Sequence, residues 1–375
     1  MVTKSFFVLL SRTSPYPLQR GIADARLLIL AVLFFISSCT TTHNFAIEIR
    51  EPAKITFPAD VVNVVVINNA ASPESGDFGT EYYLNNKEIS APSTINFDSV
   101  IWISASTLAR GIYAEDFFSG TIMHLEPVRK DNNNLEIRQI PNDIKHTIYK
   151  TTGADAIISI DRCLFKYTQK VNQQSFNSYY PIVNTKTEAN ITYSVYLKDR
   201  EKPLTSFALQ DSLFFSAQLF GDSVMLYDLL PNTLIEEAAI HMGEKAVPYF
   251  IPPWKKVERN LYTSFKAKKK EALAYAKANK WATAKEIWLQ LYDKENSSKA
   301  QARLANNIAV ASEMQDDLHK ALEWAQKAEM LFRKDNETKN KKEINLITFY
   351  ISSLKERINN DSLLNMQFGV DKVLN

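Results

Sequence analysis

Cysteine is scarce in this chain: two in 375 residues, Cys39 and Cys163. Cys163 has no CxxC partner, so neither a disulfide framework nor a cysteine zinc site can be read from it. Glycine is thin as well, at nine residues. None of them falls in GxGxxG or P-loop spacing, and the backbone cradle for a nucleotide phosphate is missing. No GxSxG elbow is present. The five histidines, His43, His124, His146, His241 and His319, are scattered, with no pair at the i, i+4 spacing of helical zinc ligands. No apolar run reaches the roughly 20 residues that span a bilayer. The sequence therefore offers no catalytic constellation, no metal set and no cofactor site to assign.

What it has is an apolar run of ten residues, Leu27 to Ile36, preceded by Arg20 and Arg26. That length and those flanks read as the h-region of a secretory signal. Ile36-Ser37-Ser38-Cys39 resembles a bacterial lipobox. The resemblance implies a signal peptide over residues 1–38, removal of which leaves Cys39 diacylated at the new N-terminus. Two lipid chains give stable anchoring without a spanning helix. Thr40 after the cysteine implies the outer membrane, and the late first acid, Glu48, implies the periplasmic face. Residues 39–57 are expected to be a polar tether.

The 337 residues after the signal suffice for about two domains. Apolar content of 45% and charged content of 23% are those of an ordinary globular protein. Charge is uneven: residues 255–375 hold 23 Lys+Arg against 16 Asp+Glu, whereas residues 39–254 hold 17 against 25. Two domains with different surfaces follow. A chain exported from the cytoplasm does not meet nucleic acid, which is excluded as a partner.

Val61 to Ile67 is a β-branched run without alternation, as in a strand covered on both faces. A helix is expected near Ser104 to Phe118 and a strand near Thr121 to Val128. Pro141-Asn142-Asp143 opens a helix that stops at Gly153, and Ala156 to Ile160 follows as a buried strand. Helix, glycine and strand make a crossover unit. From Leu164 to Phe215 the period is two, an antiparallel meander. Thr233 with Glu236 is a capping-box pattern opening a further helix, and Pro248, Pro252 and Pro253 break the chain. Residues 58–253 are thus predicted to be an α/β-type domain with a meander.

Residues 254–375 are predicted to be helical. Asn279-Lys280-Trp281-Ala282-Thr283-Ala284 resembles the tetratricopeptide pattern, and Asp316-Asp317-Leu318-His319-Lys320-Ala321 repeats it 37 residues on, against the usual 34. A last helix bearing Ile344, Ile347, Ile351, Leu354 and Ile358 would cap the pair. The fold class is α+β, a mixed sheet with an α/β crossover, followed by an all-α tetratricopeptide-like domain.

With the lipobox, the Val61–Ile67 strand, Gly153 to Ile158, Pro253-Trp254 with Arg259 and Tyr262, and the paired repeats in this order, the chain resembles a Bacteroidetes lipoprotein family of unknown function. That family brings no assigned activity; the anchor, the repeat pattern and the lack of a catalytic constellation point to a non-enzymatic module that binds another envelope protein and carries no cofactor. The alternative is an envelope hydrolase or glycan-binding protein with its site in the first domain. Asp155 and Asp161 bracket a buried strand, where a surface or capping role is expected; in the alternative they would be the site's carboxylates. Lys266, Lys268, Lys269 and Lys270 are the densest positive run, ordinarily a solvated helix face and otherwise a candidate interaction surface for lipopolysaccharide phosphates or an acidic partner. Trp281 and Trp288, seven apart, share one helical face and read as core.

Overall fold

The computed structural model describes residues 42–73, 79–89, 95–172, 182–218, 231–263 and 267–369. They fall into two compact units: residues 48–257 with 356–369, and residues 42–47 with 258–355.

The first unit is built on β6 (Ala156–Asn172). Its first residues run parallel to β2 (Asn63–Asn68), Val64 opposite Ala156, and its last run parallel to β3 (Thr80–Leu84). Along its whole other edge it pairs antiparallel with β7 (Ile182–Leu197), which pairs antiparallel with β8 (Thr205–Gln218). β5 (Gly120–Met123) flanks β2, and β4 (Lys87–Ile89) flanks β3. Asn85 and Asn86, both at positive φ, make the two-residue turn between β3 and β4, the geometry a tight hairpin favours. One sheet is thus parallel on one side of β6 and antiparallel on the other, the mixed α+β class read from the sequence.

Helices α1 (Phe97–Ala114) and α3 (Pro231–Phe250) cover one face, against Val64, Val66, Ile158 and Val195. Helix α2 (Asn142–Thr152) covers the other with Ile148 and Tyr149, against Val65, Ile67 and Ile157. Four consecutive valine and isoleucine side chains of β2 are fully buried, which is why that strand shows no alternation. α1 and α3 approach closely at two glycines. A Cβ on Gly243 would lie 2.7 Å from the Ser104 carbonyl, and one on Gly111 would lie 2.5 Å from a Val247 methyl.

Several boundaries differ from expectation. α1 starts at Phe97, seven residues earlier, because Asn96 caps it by accepting the Ser99 amide at 3.2 Å. α3 starts at Pro231, two residues before the capping-box threonine, and runs through Pro248. There the proline lacks the N–H that would bond the Glu244 carbonyl, and the helix ends two residues later at Phe250. β5 ends at Met123, five residues short. The expected tether holds a strand, β1 (Thr42–Arg50), in which Phe45, Ile47 and Ile49 alternate with more exposed residues. It pairs with β9 (Trp254–Tyr262), a strand where the helical region was expected to begin.

The second unit is mainly helical: α4 (Ala267–Lys277), α5 (Trp281–Asp293), α6 (Ser298–Glu313), α7 (Leu318–Asn336) and the first half of α8 (Lys341–Phe368). The turns entering α5 and α7 each place one residue at positive φ, Asn279 and Asp316. These lie 37 apart, as do Ala284 and Ala321, both fully buried. Ile344, Ile347, Ile351 and Leu354 of α8 are buried in the same core. β9 is tied to α6 by Asn307, which accepts the Tyr262 amide at 2.7 Å and donates to the Tyr262 carbonyl at 2.8 Å. Arg259 donates twice to Glu313, at 2.7 Å each, and the Tyr350 hydroxyl donates to the same carboxylate at 2.8 Å. Burial pulls the Arg259 pKa down, and the Glu313 carboxylate more than offsets it.

Candidate functional site

Cys39 and Lys266 lie outside the described residues. Lys268, Lys269 and Lys270 occupy the first turn of α4, where the helix dipole already presents positive charge. They do not form one patch: Lys268 and Lys270 are exposed, while Lys269 is folded onto Glu295 at 3.4 Å.

Asp155 and Asp161 are not a catalytic pair. They sit six residues apart along a strand, a separation of about 20 Å at roughly 3.3 Å per residue. The Asp155 carboxylate accepts the backbone amides of Val62 and Asn63 at 3.1 and 2.9 Å, closing the start of β2. Asp161 is the extra residue of a bulge in β6, between Ile160 and Arg162. Its carboxylate is buried at 1% exposure and accepts the Ser159 hydroxyl at 2.6 Å and the Asn69 amide at 2.9 Å. Burial raises its pKa, against the opposing pull of those donors and of Arg129. Arg129 is itself committed to Asp131 and to the carbonyls of Asn133 and Glu136. This is an interior polar knot that holds the loop after β5, closed to substrate.

Trp288 is core, and Trp281 is half-buried, stacked on Phe45 at 5.5 Å. Burial pushes the Cys163 thiol well above its usual range. His241 pairs with Asp211 at 2.8 Å, and Lys245 meets the same carboxylate at 2.6 Å. Among the described residues no group of three or more His, Cys, Asp or Glu is placed to hold a metal ion, and no helix is long and apolar enough to cross a membrane.

The feature that sequence reasoning missed is a trough of about 490 Å³ on the open sheet beyond α2. It follows from the bulge. Before Asp161 the even residues Ile158 and Ile160 point to the α1 and α3 side; after it the odd residues Cys163, Phe165 and Tyr167 do. Lys166, Thr168 and Lys170 are thereby turned outward. Pairing aligns Tyr83, Lys170, Asn184 and Ser216 in one row across four strands. Glu81, Thr168, Lys186 and Phe214 form the next. Glu81 takes Lys166 at 2.7 Å, and Glu188 takes Lys186 at 2.6 Å. The Phe214 ring is 71% exposed. The signal available in the sequence was the slip from even to odd apolar positions around Asp161.

Residues 61–262 match the family described as a domain of unknown function (DUF8603). The chain belongs to that family. In this DUF8603 chain, residues 270–356 match a second domain of unknown function, DUF6340. No curated protein matches the sequence. Among solved structures the chain is similar to a PelC dodecamer from Paraburkholderia phytofirmans, at 10% identity over 55% of this chain and 97% of that one, with a TM-score of 0.21. It is also similar to a neuraminyllactose-binding hemagglutinin homolog from Helicobacter pylori, at 12% identity over 52% and 90%, with a TM-score of 0.24. Likenesses this weak carry no argument.

Proposed function

We propose that this DUF8603 chain is a non-enzymatic binding module of the bacterial envelope, anchored to the outer membrane by lipid on Cys39 and facing the periplasm, where its helical unit contacts another envelope protein. The observation that supports the protein contact is the outer face of α8. Phe349 is 74% exposed there and Leu346 is 39% exposed one turn before it, on a helix whose opposite face is committed to the core. Large apolar side chains left to solvent on a repeat-like stack are the usual anchors of a partner surface. Exposed Lys268 adds a positive side chain at the start of α4 for an acidic partner. The hydrolase alternative is weakened by the burial of Asp161 and the structural duty of Asp155.

The test is photo-crosslinking in intact cells from an unnatural side chain at position 349, with mass spectrometry of the product. One defined envelope protein, lost when the probe is moved to Lys339, is the expected result; no protein adduct would overturn the contact. Labelling with a palmitate probe should tag the parent and not Cys39→Ala. Equal tagging would remove the anchor.

A further inference from the structure

We propose that the trough on β3, β6, β7 and β8 is a binding site for a short, neutral oligosaccharide. This goes beyond the protein-contact reading and fails independently of it.

Three observations converge. The first is size: about 490 Å³ lies in the range of small-ligand sites, roughly 300–1,000 Å³, whereas protein contacts of this kind are flat. The second is charge. The carboxylates of the floor, Glu81 and Glu188, are each met by a lysine, Lys166 and Lys186. Lys170 lies over the Tyr83 ring at 5.3 Å. The charged side chains that line the trough itself are two carboxylates, Glu81 and Glu188, and two lysines, Lys170 and Lys186, a balance that disfavours a strongly anionic or cationic ligand while leaving each charged group with spare donor or acceptor capacity. The third is the pairing of ring and polar groups. Phe214 offers an exposed ring at one end of its row, with the Lys186 ammonium over it at 5.7 Å from the centroid. Thr168, Asn184 and Ser216 stand beside it, and Ser216 donates to Asn184 at 2.9 Å. An aromatic platform for the apolar face of a sugar, ringed by carboxylate, amide and hydroxyl groups for its hydroxyls, meets the needs of a neutral polyol.

Ligand-observed NMR on the full mature chain tests this with cellobiose, maltose and N,N′-diacetylchitobiose as probes and digalacturonic acid as the charged comparison. At least one neutral disaccharide should bind. Phe214→Ala should weaken it tenfold or more and Asn184→Ala several-fold, with unchanged melting temperatures. Phe349→Ala should leave binding intact. The assignment is overturned if no neutral probe binds, if Phe214→Ala binds as the parent does, or if digalacturonic acid is preferred. It is equally overturned if a photo-crosslinker at position 214 captures a protein while no sugar binds.

Discussion

A carboxylate held by neutral donors, as Asp161 is by Ser159 and Asn69, titrates late because burial disfavours its charged form. Its folded pKa lies above the unfolded value of about 3.9. The stability it contributes is therefore complete below that value and is lost as pH rises through the folded pKa. Asp161→Asn keeps an acceptor without the charge and should flatten this slope, leaving the variant equal to or more stable than the parent at neutral pH. Urea unfolding at a series of pH values reads both. Substitution at Arg259 and Glu313 has the opposite consequence, since there the charges are paired. Breaking a buried, doubly bonded pair typically costs about 3–5 kcal/mol, and Arg259→Met should lower the urea midpoint of the helical unit accordingly, with Tyr350→Phe costing about 1.5–3 kcal/mol. Composition and spacing pick out Asp155 and Asp161 from the strand they bracket and suggest a capping or surface role, which Asp155 fills and the buried Asp161 does not. Whether a carboxylate beside a strand caps amides or sinks into a bulge depends on residues 92 positions away, Asn63 and Asn69.

At the scale of elements, legibility followed burial. Strand β2, helix α2 with its Gly153 stop and the repeated turns at Asn279 and Asp316 could be read because each is fixed by its own residues. Gly153 indeed sits at φ 69°. β1 and β9 could not, since a strand of mixed polarity needs its partner, and the partner is some 200 residues away. The trough was hidden for the same reason: its rows exist only after four strands are in register. The α1–α3 contact yields a sharp test. With a Cβ at Gly243 only 2.8 Å from the Thr107 side chain and nearer still to backbone, Gly243→Ala should cost roughly 1–3 kcal/mol by overpacking. Any gain from helix propensity, about 1 kcal/mol, is outweighed. Thermal unfolding decides it; an unchanged melting temperature would mean that the helices separate at no cost.

For the molecule as a whole, the sheet unit is closed by residues far along the chain. Gln367 accepts the Ala53 amide at 2.9 Å and donates to the Ala53 carbonyl and the Thr56 hydroxyl, each at 3.0 Å. Phe368 meets Phe117 edge-on at 5.5 Å. A chain ending at Lys355 should lose about 2–4 kcal/mol from the sheet unit. Hydrogen exchange should speed up at Ala53, which lies outside the deleted segment. A single cut near residue 254, drawn from the proline cluster and the onset of the repeats, leaves this return out of view because nothing in residues 356–369 marks them as part of a sheet domain.

The return also sets a clock. Roughly 100 residues, Glu258 to Lys355, are made between the two pieces of the sheet unit. At about 5–20 residues per second that is on the order of 5–20 s of translation. Until the final helix emerges, the ground floor around Ala53 and Phe117 has no lid, so the polypeptide stays unfinished through nearly all of its own birth.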